Sequence, residues 1–256
     1  MIESRLSKNR ISYIHSLERK KNRNIEGVFL AEGGKVVGDL MGTFHCLFIA
    51  AEKEWLDVHP NVCADEMCCV SEEELQRASL MKTPQQVLAV FAQRKESFDI
   101  SSLNSILCLA LDGVQNPGNL GTIVRLADWF GIEHIVCSPD TADIYNPKTI
   151  QATMGAMAHV KTHYMELSSF FEMLPENVPI YGTLLNGNNI YEEKLTPYGV
   201  IVMGNEGRGI RPETETFVNR RLYIPNYPQN RLTTDSLNVA IATSIVCAEF
   251  RRQAVY

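Results

Sequence analysis

Three short polar stretches carry residue types able to do chemistry, and each follows an apolar run. The first is Asp112-Gly-Val-Gln-Asn-Pro-Gly-Asn-Leu-Gly-Thr-Ile-Val-Arg125, in which Asn119 is suited to cap a helix. Arg125 follows six residues later, nearly two turns on and about the same helical face. The second is Gly204-Asn-Glu-Gly-Arg-Gly209, directly after the apolar residues 199–203. The third is Ile224-Pro225, leading through a polar loop to Ser236-Leu-Asn-Val239. Alone, each has a plain structural explanation: glycines serve tight turns, Ser236 caps a helix, and Arg125 pairs with Asp128 on its own helix. Together, Asn119, Arg125, Glu206, Ser236 and Asn238 supply two amides, a guanidinium, a carboxylate and a hydroxyl, a set that orients and polarises.

These stretches need elements to position them, and the pattern from residue 105 onward alternates strand and helix. Residues 106–114 form the continuous apolar run of a strand buried on both faces, and 119–130 form a helix closed by Gly131. A strand at 134–137 precedes a helix opened by Asn146-Pro147, cap followed by first-turn proline. Strands follow at 160–164, 180–185, 200–203 and 222–224, and a last helix starts near Ser236 with Leu237, Ile241, Ile245 and Ala248 on one face. Repeated βα units predict an open α/β fold with a mostly parallel sheet, whose ligands sit beyond the C-terminal ends of the strands. All three polar stretches lie at that end.

Residues 1–95 read as a smaller α/β domain, with a helix at 11–21, strands at 28–30, 47–50 and 87–92, and a helix from Gly34. A further helix starts at Ser71-Glu-Glu-Glu74, the pattern of a capping box. The polar stretch 93–104 contains the linker, placed at 96–104, and 105–256 forms the second domain.

Composition narrows the class. The chain has 256 residues, 45% of them hydrophobic, enough for two modest cores. No apolar run approaches the roughly 18 residues of a membrane span, and the basic N-terminus lacks the apolar stretch of a signal peptide. Seven cysteines without a CxxC pattern suit a reducing compartment and a cytoplasmic protein. The spacing of Cys63, Cys68 and Cys69 matches no common zinc pattern, and His159 and His163 lack the glutamate of HExxH, so no metal is expected. Net charge is −6, yet residues 1–23 carry +5, which leaves −11 for the remainder. Arg10, Arg19, Lys20, Lys21 and Arg23 in that basic segment are candidate contacts for nucleic-acid phosphates, or else a solvated helix face.

Gly204, Gly207 and Gly209 are spaced GxxGxG rather than the dinucleotide GxGxxG, and no GxxxxGK[ST] phosphate loop is present, which sets aside a nicotinamide oxidoreductase and a nucleotide hydrolase. The three stretches instead resemble the three signature motifs of the SpoU (TrmH-like) RNA ribose 2′-O-methyltransferases of the SPOUT superfamily. The matching residues are Asn-Leu-Gly-Thr-Ile-Val-Arg at 119–125, Val-Met-Gly-Asn-Glu-Gly-Arg-Gly at 202–209, and Ile-Pro at 224–225 with Ser-Leu-Asn-Val at 236–239. Segments 146–148 and 154–156 resemble intermediate parts of the same family. Phe29-Leu-Ala-Glu-Gly33 and Thr83-Pro-Gln-Gln-Val-Leu-Ala-Val90 are similar to its L30e-like RNA-binding domain. Gln151 stands where many members carry a basic residue, and loop 226–235 is longer than usual.

The resemblance implies a C-terminal trefoil knot, a homodimer whose interface adjoins the active sites, and S-adenosyl-L-methionine as cofactor. It places Gly204, Ile224 and Leu237, with Thr183 and Leu184, at the cofactor. It puts Arg125 at the ribose 2′-hydroxyl of an rRNA or tRNA, with Asn119, Glu206, Asn238 and Ser236 around it. The alternative is a non-catalytic RNA-binding protein on the same fold.

Overall fold

The computed structural model describes residues 2–3, 5–228 and 236–255. Its elements run β1 (Ile2–Glu3), α1 (Lys8–Ser16), α2 (Lys20–Glu26), β2 (Val28–Glu32), α3 (Gly34–Leu40), β3 (Cys46–Ala51), α4 (Lys53–Val58), β4 (Glu66–Cys69), α5 (Glu72–Ala78) and β5 (Val87–Ala92). Then follow β6 (Leu107–Asp112), α6 (Pro117–Trp129), β7 (His134–Cys137), α7 (Pro147–Thr153), β8 (Lys161–Tyr164), α8 (Leu167–Glu172), β9 (Ile180–Asn189), β10 (Gly199–Gly204), α9 (Pro212–Glu215), β11 (Arg220–Tyr223) and α10 (Val239–Val255). They fall into two units, Met1–Lys95 with Asp143–Ala158, and Glu96–Ala142 with His159–Tyr256. None of the described helices is long and apolar enough to cross a membrane.

The first unit is built on a five-stranded mixed sheet in the order β1-β4-β3-β5-β2. Ile14, Leu17, Leu30, Phe48, Leu75 and Val90 form its core. Ser71 and Glu74 make the expected capping box at the head of α5. The single helix expected at 11–21 is two helices, because Ser7 caps α1 early and the chain breaks after Ser16. The carbonyls freed there are taken by Arg23, whose Nη1 donates to Leu17 O at 2.8 Å and Glu18 O at 2.7 Å. Arg23 is 1% exposed and its Nη2 pairs with Asp143 at 2.5 Å. Arg23 is thus a structural residue of the first unit and not the phosphate contact expected of it. Segment 143–158 joins the same unit through Tyr145, stacked on Phe29 at 4.9 Å, and Gln151, which donates to Glu32 O at 2.6 Å.

The second unit carries a six-stranded sheet in the order β11-β9-β10-β6-β7-β8, every neighbouring pair parallel. All six residues of β6 and all four of β7 are buried, as expected of strands covered on both faces. Helix α6 starts earlier than expected, since Asn116, not Asn119, is its cap: Asn116 Oδ1 accepts from the N–H groups of Gly118 and Asn119, with Pro117 in the first turn. Helix α10 is capped by Asn238, whose Oδ1 accepts from Ala240 N at 3.0 Å, rather than by Ser236. Its expected apolar face points outward. Leu237 is 48% and Ile241 53% exposed, while Val239, Val246, Cys247 and Phe250 are buried.

Phe98, from the expected linker, stacks on both His134 and His163 at 4.6 and 4.7 Å. The two imidazoles share a hydrogen bond, His134 Nδ1 to His163 Nε2 at 3.0 Å. Burial, then the neighbouring His134 and Lys161, push His163 from its ordinary 6.5 down to about 4, and burial lowers His134 as well. The unfolded chain therefore binds more protons than the folded one between these values, so this contribution to stability is complete above the unfolded pKa and is lost as pH falls through the folded one. The melting temperature should be nearly flat between about pH 8 and 7 and fall from about pH 6.5 to 4, with a shallower fall in His163→Phe. Equal acid slopes in calorimetric melts of the two proteins would show that the pair does not couple folding to pH.

Candidate active site

Parallel strands place all their C-terminal ends along one edge of the sheet, and the candidate residues lie there. The turn after β6 leads to Asn116 and α6, and β10 ends at Gly204 beside Asp112 of β6. Strand β9 leaves its register with β11 after Gly182 and resumes at Asn188, so residues 183–187 bulge from the ladder. Thr183 Oγ1 in that bulge donates to Val202 O at 3.2 Å, and Leu184 packs on the sheet core. Ile224, half-buried, follows the end of β11.

A chain of hydrogen bonds joins the loops. Asn119 Nδ2 donates to Glu206 Oε1 at 2.7 Å, and Asn238 Nδ2 donates to Asn119 Oδ1 at 3.1 Å. The start of α6, the turn after β10 and the head of α10 thus meet at one amide. Asn119 is free to do this because Asn116 caps its helix.

The turn that presents Glu206 is held from behind. Asn205 and Gly209 exchange both backbone hydrogen bonds at 2.9 Å, and Asn205 Oδ1 accepts from Gly207 N and Arg208 N. Asn205 Nδ2 donates to Gly113 O at 2.6 Å, Gly113 N to Ser138 Oγ at 2.9 Å, and Ser138 Oγ to Asp140 Oδ1 at 2.7 Å. Arg211, just past the turn, bonds Asp112 through Nε at 2.6 Å and through its backbone N at 2.8 Å. Asp112 is fully buried, and its hydrogen bond to Arg211 raises the guanidinium above its usual range. Asp140 is held below the usual carboxylate range, first by Ser138 and also by Arg211. Sequence reasoning assigned no role to Asn205, Asp112, Ser138 or Arg211; Asp112 and Asn205 lie within the first and second polar stretches, Asp112 is further marked as the aspartate that ends a buried strand, and Ser138 and Arg211 carried no signal.

Arg125 stands apart from this chain. Six residues rotate a helix by about 240°, so Arg125 projects about 120° away from Asn119, not on its face. Arg125 is exposed and makes no ion pair among the described residues; Glu206 is engaged by Asn119, and Asp128 meets His159 at 3.2 Å. Ser236 is exposed, two residues ahead of Asn238, and 229–235 of the long loop lie outside the described residues. In the first unit Arg19, Lys20 and Lys21 are exposed, while Arg10 pairs with Glu66 and lies 4.5 Å over the Phe48 ring. Cys63 is exposed and Cys68 buried; among the described residues no group of three potential ligands could hold a metal.

Residues 106–248 match the SpoU rRNA Methylase family, and residues 8–89 match the MRM3-like substrate binding domain. The chain belongs to the SpoU rRNA methylase family. It is 30% identical over 238 residues to the 23S rRNA (guanosine(2553)-2′-O)-methyltransferase RlmP of Bacillus subtilis, covering 92% of this chain and 93% of that protein. A Porphyromonas gingivalis structure described as a TrmH-family RNA methyltransferase superposes with a TM-score of 0.86 at 37% identity, covering 98% and 100% of the two chains. An AdoMet-bound rRNA methyltransferase from Sinorhizobium meliloti superposes with a TM-score of 0.84 at 26% identity, over 100% and 99%. The SpoU-family α/β fold with its mostly parallel sheet is therefore established for this chain.

At Gly204 the backbone of the neighbouring turn takes the space of a side chain. A Cβ there would lie 2.2 Å from Gly209 C and 2.3 Å from Ile210 N. Such a close pass admits no side chain, and with half-buried Leu184 and Ile224 and half-exposed Leu237 it suits a cofactor held by main chain and apolar contact. Gly204→Ala should lower affinity for S-adenosylmethionine by about tenfold or more, the size of about 1–3 kcal/mol of overpacking. Calorimetric titration checks this, and unchanged affinity would move the cofactor away from Gly204.

Proposed function

We propose that the C-terminal edge of the second unit is the methyl-transfer centre, with the Asn238–Asn119–Glu206 chain as its fixed frame and Arg125 as the group that meets the ribose. As a SpoU-family enzyme the protein is an S-adenosylmethionine-dependent RNA ribose 2′-O-methyltransferase acting on rRNA or tRNA. The observation that carries the site assignment is the convergence of three separately encoded loops on Asn119.

When bound, S-adenosylmethionine supplies an electrophilic methyl group on a sulfonium. The protein's part is then to align a hydroxyl and stabilise the charge that develops on it. A guanidinium keeps its proton in proteins, so Arg125 serves as a donor that lowers the hydroxyl's pKa and clamps an adjacent phosphate, not as a base; as the O–CH3 bond forms and the S–CH3 bond breaks, the hydroxyl proton leaves to water or another group. Its exposure and lack of an ion pair among the described residues leave it available for this. Gly204, Ile224, Leu237, Thr183 and Leu184 hold the cofactor. Ser236, exposed ahead of Asn238, faces the RNA.

Arg125 shares the outward face of α6 with Trp129, four residues on and 83% exposed. Helix α10 packs on α6, fastened by Arg251 Nε to Phe130 O at 2.6 Å, and turns Ile241 and Leu237 outward. This exposed apolar surface, without a partner among the described residues, supports a homodimer that covers the two helices and lies against Arg125. The C-terminal knot belongs to the same reading; the strand order supports it, since β11 returns outside β9 while Asn238 beyond it meets the head of α6.

The first unit is proposed as the L30e-like, RNA-recognising part, supported by its match to a substrate-binding domain and by exposed Arg19, Lys20 and Lys21. Near-full-length similarity to RlmP favours 23S rRNA as the substrate. Seven cysteines, five of them buried and none in a CxxC pattern, fit a cytoplasmic protein.

Arg125→Ala should reduce methyl transfer to RNA by about a hundredfold or more, with S-adenosylmethionine affinity nearly unchanged by calorimetry; loss of both together would make Arg125 structural. Reversing Lys20 and Lys21 to glutamate should weaken RNA binding and reduce the slope of log K against log salt by about 2. An unaltered slope would leave these lysines as a solvated helix face.

A further inference from the structure

Behind the frame residues lies a second layer centred on Asp112 and Arg211, two residues outside the matching motif residues 119–125 and 202–209. Asp112 closes β6, is completely buried, and carries a carboxylate. Burying such a group is costly unless every lone pair is engaged. Here one oxygen accepts from the backbone N–H of Arg211 at 2.8 Å, and the other accepts from its Nε at 2.6 Å and forms an ion pair with its Nη2 at 2.5 Å. Arg211 therefore meets the carboxylate with side chain and main chain at once, which fixes both its rotamer and the path of the chain entering α9. Its Nη2 also reaches Asp140 Oδ1 at 3.5 Å.

What this pair fixes is the turn that ends beside it. Residues 205–209 are anchored at the far end by Arg211 and at the near end by Gly204, which leaves β10 next to Asp112. Their middle is tied by Asn205 to Gly113, the residue after Asp112, and Gly113 is tied through Ser138 to Asp140, which Arg211 also reaches. The circuit closes on itself, and the one carboxylate projecting from the turn toward Asn119 is Glu206.

The geometry points to Asp112 and Arg211 as a positioning pair for methyl transfer: their ion pair sets the turn so that Glu206 holds Asn119, and through Asn119 the head of α10, in the reactive arrangement. The pair touches neither cofactor nor ribose. It acts on the rate by fixing Glu206, and this role rests on the methyl-transfer reading above.

The test uses the full chain. Arg211→Ala alone would leave a buried carboxylate unpaired and risks unfolding, so the informative protein is the double variant Asp112→Asn with Arg211→Met, which removes both charges at nearly constant volume. Thermal melts and S-adenosylmethionine titration give the concentration of folded, cofactor-competent protein. Per competent molecule, kcat for RNA methylation should fall about tenfold or more, with cofactor affinity within about threefold of wild type. The side-chain amide resonances of Asn119, assigned by NMR, should shift away from their hydrogen-bonded position. A merely structural pair would lower the melting temperature and leave kcat per competent molecule and the Asn119 amide unchanged, and that result overturns the proposal. So does a lowered kcat with an unmoved Asn119 amide. The amide readout needs no substrate: a wild-type protein inactive on RNA would defeat the functional reading, while the Asn119 signal would still decide the positioning role.

Discussion

The side chain of Asn119 bears a constraint that much of the second unit is arranged to meet. A primary amide can donate and accept at the same time, so one residue can join two others that never meet in sequence. Asn119 gives its N–H to Glu206 and takes one from Asn238, which binds the turn after β10 and the start of α10 to the start of α6. For this to happen Asn119 must be released from capping its own helix. Asn116 and Pro117 accomplish that by starting α6 three residues earlier. The parallel sheet does the rest, because consecutive parallel strands deliver their C-terminal turns to one edge whatever lies between them in sequence.

Among the described residues, three buried charges sit where the chain changes direction. Arg23 satisfies the carbonyls at the break between α1 and α2 while pairing with Asp143. Glu32, at the end of β2, accepts from Ser79 Oγ and from Leu80 N at 3.0 Å, and burial raises its pKa. Asp112, at the end of β6, is saturated by Arg211. Desolvation offsets much of what such contacts gain, so their effect lies less in net stability than in direction. An ion that is only tolerable with all its partners in place permits one path for the turn it anchors.

The strands and motif loops were readable because burial writes directly on sequence: β6, β7 and β10 are apolar along most of their length, and glycine marks turns such as Gly204. The frame was less legible. Asn119 and Asn116 are equally good caps by type, and the choice between them turns on which amide has a distant partner. Arg23 sits in a run of exposed cations and differs from them through the carbonyls of the helix break and through Asp143, 120 residues away. Arg211 is one arginine after a glycine-rich turn, and its partner lies 99 residues earlier. Local pattern carries no record of contacts made at that separation.

Helix α10 shows why an apolar stripe does not by itself say which way a helix faces. Positions 237, 241, 245 and 248 carry Leu, Ile, Ile and Ala, a regular stripe, yet the side packed inward is Val239, Val246, Cys247 and Phe250. The helix is apolar on two sides, and a one-sided stripe is the signature only of a helix with one buried face. The second side, continuous with α6 through the bonds of Arg251 to Phe130 and Gly131, leaves Trp129 and Ile241 in water, which is costly for a monomer. In the proposed homodimer, a second copy of the chain laid across α6 and α10 would remove that cost. Such a dimer would also bear on the chemistry, because Arg125 lies on the same outward face of α6 as Trp129 and Asn238 heads α10. Association would then order the guanidinium beside the frame that Asn119 holds, and the apolar face and the reactive edge become two demands on the same pair of helices.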